Sequence, residues 1–204
     1  MTISVDQLAK RFAQHYIFRG LSLQLALGHS YALLGANGSG KSTLLRIIAG
    51  MQSPTKGSVQ YHNAQGTLIE NPYQHISFCA PGMELIEELT LAEMLRFHFR
   101  FKPILPGHNI ASIIDTIGLQ AAQHKPLADY SSGMRQRVKL AQAIFAHTPI
   151  LMLDEPCTNL DHAGVAQYRQ WIANHSQDRL LIIASNEERE YDFCQQIIKM
   201  EDYK

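Results

Sequence analysis

The eight residues Gly35-Ala36-Asn37-Gly38-Ser39-Gly40-Lys41-Ser42 constrain this chain more than any other feature. They fit G-x-x-x-x-G-K-[ST] without a mismatch. The apolar run Ser30–Leu34 before them reads as a buried strand, and Thr43–Ala49 after them reads as a buried helix stopped by Gly50. The residue types follow from chemistry. Glycines let the backbone wrap closely and aim successive N–H groups at phosphate oxygens. The helix N-terminus adds partial positive charge at the same point. Lys41 is placed to reach the β- and γ-phosphates of a nucleotide, and the Ser42 hydroxyl to ligate Mg²⁺.

A second anchor lies downstream. Ile150-Leu151-Met152-Leu153 is a buried-strand pattern ending in Asp154-Glu155. Phosphate-loop proteins place their magnesium carboxylate at the carboxyl end of a core strand, and open α/β sheets bind ligands along that edge. Asp154 is therefore the expected metal residue, and Glu155 the residue aimed at an attacking water, as general base or positioner.

Periodicity supplies the frame. Residues 1–30 read as short strands, with Leu21, Leu23, Leu25 and Leu27 alternating with polar or small neighbours. Ser58–Tyr61 and Thr67–Ile69 look like a hairpin, and Ile76–Cys79 is a further strand. From about 83 to 128 the spacing turns helical, with Leu91, Met94, Leu95 and Phe99 on one stripe and Ile110, Ile113, Ile114 and Ile117 on another. Beyond it come a helix over 132–146, strands at 150–153 and 180–184, helices over 163–174 and 187–194, and a strand at 196–200. Strands alternating with helices predict an α/β fold: one domain over 1–204, with a phosphate-loop core on a largely parallel sheet, an N-terminal antiparallel β lobe and a small α-helical lobe.

Composition narrows the role. With 18 Lys plus Arg against 18 Asp plus Glu, the chain lacks the basic excess of a nucleic-acid binder, so no nucleic-acid partner is expected. No apolar run approaches the ~20 residues of a membrane span, and Met1–Asp6 lacks a signal-peptide pattern. A cytoplasmic chain is expected, with any membrane role supplied through a partner. Cys79, Cys157 and Cys194 are far apart and read as small buried hydrophobes. The ten histidines follow no metal spacing.

Taken together, these motifs resemble the nucleotide-binding domain of ABC transporters over essentially the whole chain. Gly35–Thr43 resembles its Walker A, and Leu151–Pro156 its Walker B with catalytic glutamate. Thr158-Asn159-Leu160-Asp161 resembles its D-loop, and Tyr130-Ser131-Ser132-Gly133-Met134-Arg135-Gln136-Arg137 its signature. The resemblance implies ATP and Mg²⁺ as ligands and ATP hydrolysis as the activity. Ser131, Ser132 and Gly133 would bind the γ-phosphate of ATP held by a second ATP-binding subunit, homo- or heteromeric, in a head-to-tail dimer. Phe12, or alternatively Tyr16, would stack on adenine. A separate membrane permease would dock beside 83–128 and hold the protein on the inner face of the membrane. Met83, Leu85 and Ile86 either form that docking surface or pack internally.

Three positions depart from the family pattern. Ser132 and Met134 replace a Gly and a Gln of the signature. Pro81, nine residues before Thr90, stands where a magnesium- and water-binding glutamine belongs. Asn186 replaces the switch histidine; its amide can donate to a γ-phosphate but carries no charge. A working but slower ATPase is the expectation. A soluble ATP-driven switch and a binding-only subunit of a heterodimer are the competing readings.

Overall fold

The computed structural model describes residues 1–204. Two sheets form the frame. The first is antiparallel, with order β2-β1-β4, and comprises β1 (Thr2–Phe12), β2 (His15–Ala26) and β4 (Lys56–His62). The second is entirely parallel, with order β5-β6-β7-β3-β8: β5 (Ile76–Cys79), β6 (Ile150–Asp154), β7 (Leu180–Ala184), β3 (Ser30–Leu34) and β8 (Gln196–Lys199). The expected α/β fold with an antiparallel lobe is therefore the observed one.

Alternation along the central strands explains the layering. On β6, Ile150 and Met152 face one apolar cluster with α1 (Lys41–Ile48) and the antiparallel sheet. Leu151 and Leu153 face the other, with α2 (Leu91–His98), α3 (Ile110–Thr116), α4 (Ser132–Ile144) and α5 (His162–His175). Both faces are covered, so β6 and β7 read as unbroken apolar runs, as buried parallel strands do. The helical lobe is pinned by capping boxes at Thr90 and Asn109.

Several boundaries differ from the sequence reading, three of them near the sheet edges. Thr67–Ile69 makes only a single bridge, His62 to Leu68, because the Asn63 side chain accepts the Gln65 and Thr67 N–H groups and closes a tight turn. The last helix, α6 (Glu188–Tyr191), has one turn where 187–194 was expected, because the Gln195 N–H must return to the Ser30 carbonyl at the sheet edge. The 196–200 strand stops at Lys199, and Met200–Tyr203 forms a 3-10 turn. Cys79 and Cys157 are buried and Cys194 is half-buried, all as free thiols.

Phe145, just past α4, is fully buried against Trp171 and the rings of His108 and His175, with centroids 6.5, 5.0 and 5.0 Å away. Phe145→Ala is expected to lower unfolding free energy by about 3–5 kcal/mol in urea titrations, since a filled aromatic site cannot fully collapse.

Candidate nucleotide site

Parallel strands bring the motif residues to one edge by register. Leu33 pairs with Ala184, Asp154 with Ala184, Cys79 with Leu153, and Leu34 with Lys199. The residues that follow those pairs, Gly35, Asn186, Pro81 and Glu201, therefore leave the sheet at the same end as Asp154.

The loop itself needs glycine at its close approach. Gly40 has φ +106°, and a Cβ there would lie 2.5 Å from Ile17 Cγ2. Gly40 N-caps α1, so Lys41 and Ser42 open the helix two residues earlier than the periodicity indicated. A cavity of about 210 Å³ results, lined by Ile17, Glu155, Asn37, Gly38 and the stretch from Gly40 to Thr43. Lys41 is 5% exposed, and its Nζ donates to the Gly35 carbonyl at 2.6 Å and the Ala36 carbonyl at 3.4 Å. The Ser39 hydroxyl is buried without a partner. A folded-back ammonium and an orphaned hydroxyl in a loop of N–H groups fit a phosphate chain.

Ser42 Oγ donates to Asp154 Oδ1 at 2.9 Å. Burial pushes the Asp154 carboxyl up, and the Ser42 hydrogen bond opposes it. A desolvated carboxylate converging with a hydroxyl supplies the oxygen donors that Mg²⁺ takes, so these residues fit that ion.

Glu155 follows at φ +45°, with its N–H on the Ala184 carbonyl at 2.9 Å. A left-handed glutamate costs on the order of 1 kcal/mol and persists only where its surroundings fix it. Asn186 Nδ2 donates to Asn37 Oδ1 at 2.8 Å, which puts the residue after β7 against the phosphate loop.

The signature residues are elsewhere. Ser131 N-caps α4, accepting from the Met134 N–H at 3.3 Å, and Ser132 is the first helical residue. Neither lines the cavity, nor does Gly133. A Cβ on Gly133 would sit 2.9 Å from the Asn159 carbonyl, so that glycine lets α4 meet the 158–161 loop. Asp161 caps α5, accepting from the Gly164 N–H at 2.7 Å. Phe12 and Tyr16 stand half-exposed at the β1–β2 hairpin tip, under Lys10 and Arg11, and are also outside the cavity lining.

Other residues carried no sequence signal. Glu201 Oε1 accepts the Ala36 N–H at 3.2 Å, so the 3-10 turn after β8 holds the mouth of the loop. At the position of the missing glutamine, Lys139 of α4 donates to the Pro81 carbonyl at 3.0 Å. Both Pro81 and Lys139 line a separate groove of about 430 Å³, with Met83, Leu85 and Arg135. Leu85 is buried, Met83 half-buried and Ile86 exposed, so the three residues divide between packing and surface.

The profile of the family described as ABC transporter matches residues 18–158. The cytochrome c biogenesis ATP-binding export protein CcmA of Rhizobium johnstonii is 31% identical over 188 residues, 91% of this chain and 87% of that one. The sulfate/thiosulfate import ATP-binding protein CysA of Mesostigma viride is 29% identical over 206 residues, 97% of this chain and 59% of that one. Among solved structures, a putative ABC transporter ATP-binding protein from Pyrococcus furiosus superposes with a TM-score of 0.83 at 21% identity, covering 100% of this chain and 99% of that one.

Proposed function

The chain belongs to the ABC transporter family as an ATP-binding subunit, and on that premise we propose that it hydrolyses ATP to drive a separate membrane permease. The observation that carries the reading is the convergence of Lys41, Ser42, Asp154 and Glu155 around one loop. Lys41 exchanges its loop carbonyls for the β- and γ-phosphates. Ser42 and Asp154 would hold Mg²⁺, which would supply charge neutralisation on the phosphates. Glu155 orients the attacking water, and the products are ADP and phosphate. Ser131, Ser132 and Gly133 lie outside this chain's own cavity, which supports their use in trans by a head-to-tail partner. Their position at the start of the 13-residue helix α4 suits an anion.

No helix is long and apolar enough to cross a membrane, and in this reading a separate permease supplies the spans. The groove beside Pro81 and the exposed edge-to-face pair Phe97–Phe101, with centroids 5.3 Å apart, offer it a surface. Affinity purification from detergent-solubilised native cells tests this. A multi-span protein in stoichiometric yield is expected; soluble partners alone, with no membrane fraction, would turn the reading towards a cytosolic switch.

Pro81 and Asn186 set a slow rate in this reading. Replacing a neutral donor by a charged one is worth about 1 kcal/mol, so Asn186→His is expected to raise turnover about fivefold. The gain requires imidazolium. It should be fully present below the ordinary histidine value of about 6.5 and fade as pH rises through the higher value that the neighbouring phosphate imposes. A pH-independent change in phosphate release would contradict the assigned role of residue 186.

A further inference from the structure

Glu190 is a buried acid that the hydrolysis scheme does not use. It is 2% exposed and sits on α6, four residues after Asn186. Its Oε1 accepts the Cys157 N–H at 2.7 Å, while Oε2 is buried without a partner. The Tyr168 hydroxyl, itself fully buried, donates to the Glu190 carbonyl at 2.9 Å and fixes the backbone from α5. The carboxyl is pushed up by burial, towards the neutral acid.

The bond matters because of where Cys157 lies. It is two residues past Glu155, in the turn that carries that left-handed residue. The same turn is held from α4, where buried Gln136 donates Nε2 to the Pro156 carbonyl at 2.7 Å. The Thr158 hydroxyl and N–H both return to the Glu155 carbonyl. A non-glycine residue at φ +45° keeps its direction only if its flanks are fixed.

We propose that Glu190 is a positioning residue for Glu155: as a hydrogen-bond acceptor for Cys157 it clamps the Glu155–Asn159 turn and ties it to the segment bearing Asn186. The role rests on the reading that this chain hydrolyses ATP, and it acts on turnover without touching nucleotide. Only the acceptor is needed, so an amide can replace the acid.

The test compares Glu190→Gln with Glu190→Met in the full chain. Methionine fills the volume without an acceptor and leaves the Cys157 N–H unpaired, at a cost to stability. Turnover of Glu190→Met is expected to fall at least ~10-fold, with binding of a non-hydrolysable ATP analogue within about threefold. Glu190→Gln is expected to keep at least about a third of turnover. Amide exchange across 155–160, measured without nucleotide, is expected to quicken at least ~10-fold in Glu190→Met and to stay unchanged in Glu190→Gln. The proposal is overturned by unchanged exchange in Glu190→Met, by parallel loss of binding and turnover in that variant, or by a folded Glu190→Gln as slow as it. Should Glu190→Met not fold, Glu190→Leu, which equally lacks an acceptor, takes its place in both measurements. Absent wild-type turnover would count against the ATPase reading, while the exchange comparison would still judge the clamp.

Discussion

Glu155→Gln is expected to lower steady-state ATP turnover by about 10²–10⁴-fold, the range a positioned general base supplies. The substitution keeps the shape of the side chain and removes its capacity to take a proton. Its backbone bond to the Ala184 carbonyl is unaffected, so the left-handed turn and the cavity should survive. Affinity for ATP should therefore stay within about twofold, because the interaction lost is made only on the way to the transition state. Phosphate release paired with equilibrium binding separates the two effects. If the variant bound tenfold more weakly, Glu155 would be a binding residue and the assignment would fail.

Lys41→Ala is expected to fail in the opposite way. The residue is 5% exposed, and its ammonium bonds only loop carbonyls, 2.6 and 3.4 Å away. On binding it would gain charge-assisted hydrogen bonds to phosphate oxygens, each worth about 1.5–3 kcal/mol. Removing them should weaken ATP binding by about 10- to 100-fold or more in titration calorimetry. The variant should remain folded, since the lysine contributes no salt bridge to the free protein. Intact affinity in Lys41→Ala would place the nucleotide elsewhere.

The sequence carried the sheet edge well and its supports poorly. Ser30–Leu34, Ile76–Cys79 and Leu180–Ala184 were legible to the residue, because each is a short apolar run cut off by a loop or an acidic end. Residues 41–42 and 154–155 were legible because their chemistry requires fixed spacing. The one-turn α6 was not, since what ends it is a hydrogen bond from Gln195 to Ser30, 165 residues away. Glu190, Gln136, Lys139 and Glu201 escaped for the same reason. Each acts through a backbone group that is distant along the chain or on another element, and neither periodicity nor spacing encodes that contact. Phe12 and Tyr16 were named as alternatives, and both lie at the same hairpin tip, so local pattern could not separate them.

In the proposed scheme Ser131, Ser132 and Gly133 act on ATP held by a second ATP-binding subunit, which in the homomeric case is another copy of this chain. Phosphate release from Mg-ATP by the purified chain, followed across a dilution series, tests it most directly. Turnover per molecule should climb with protein concentration and then level off, as a dimer-dependent site requires. Turnover per molecule that stays constant down to concentrations at which light scattering shows a monomer, yet above a Glu155→Gln control, would mean that one copy is sufficient and would contradict a dimer-dependent site.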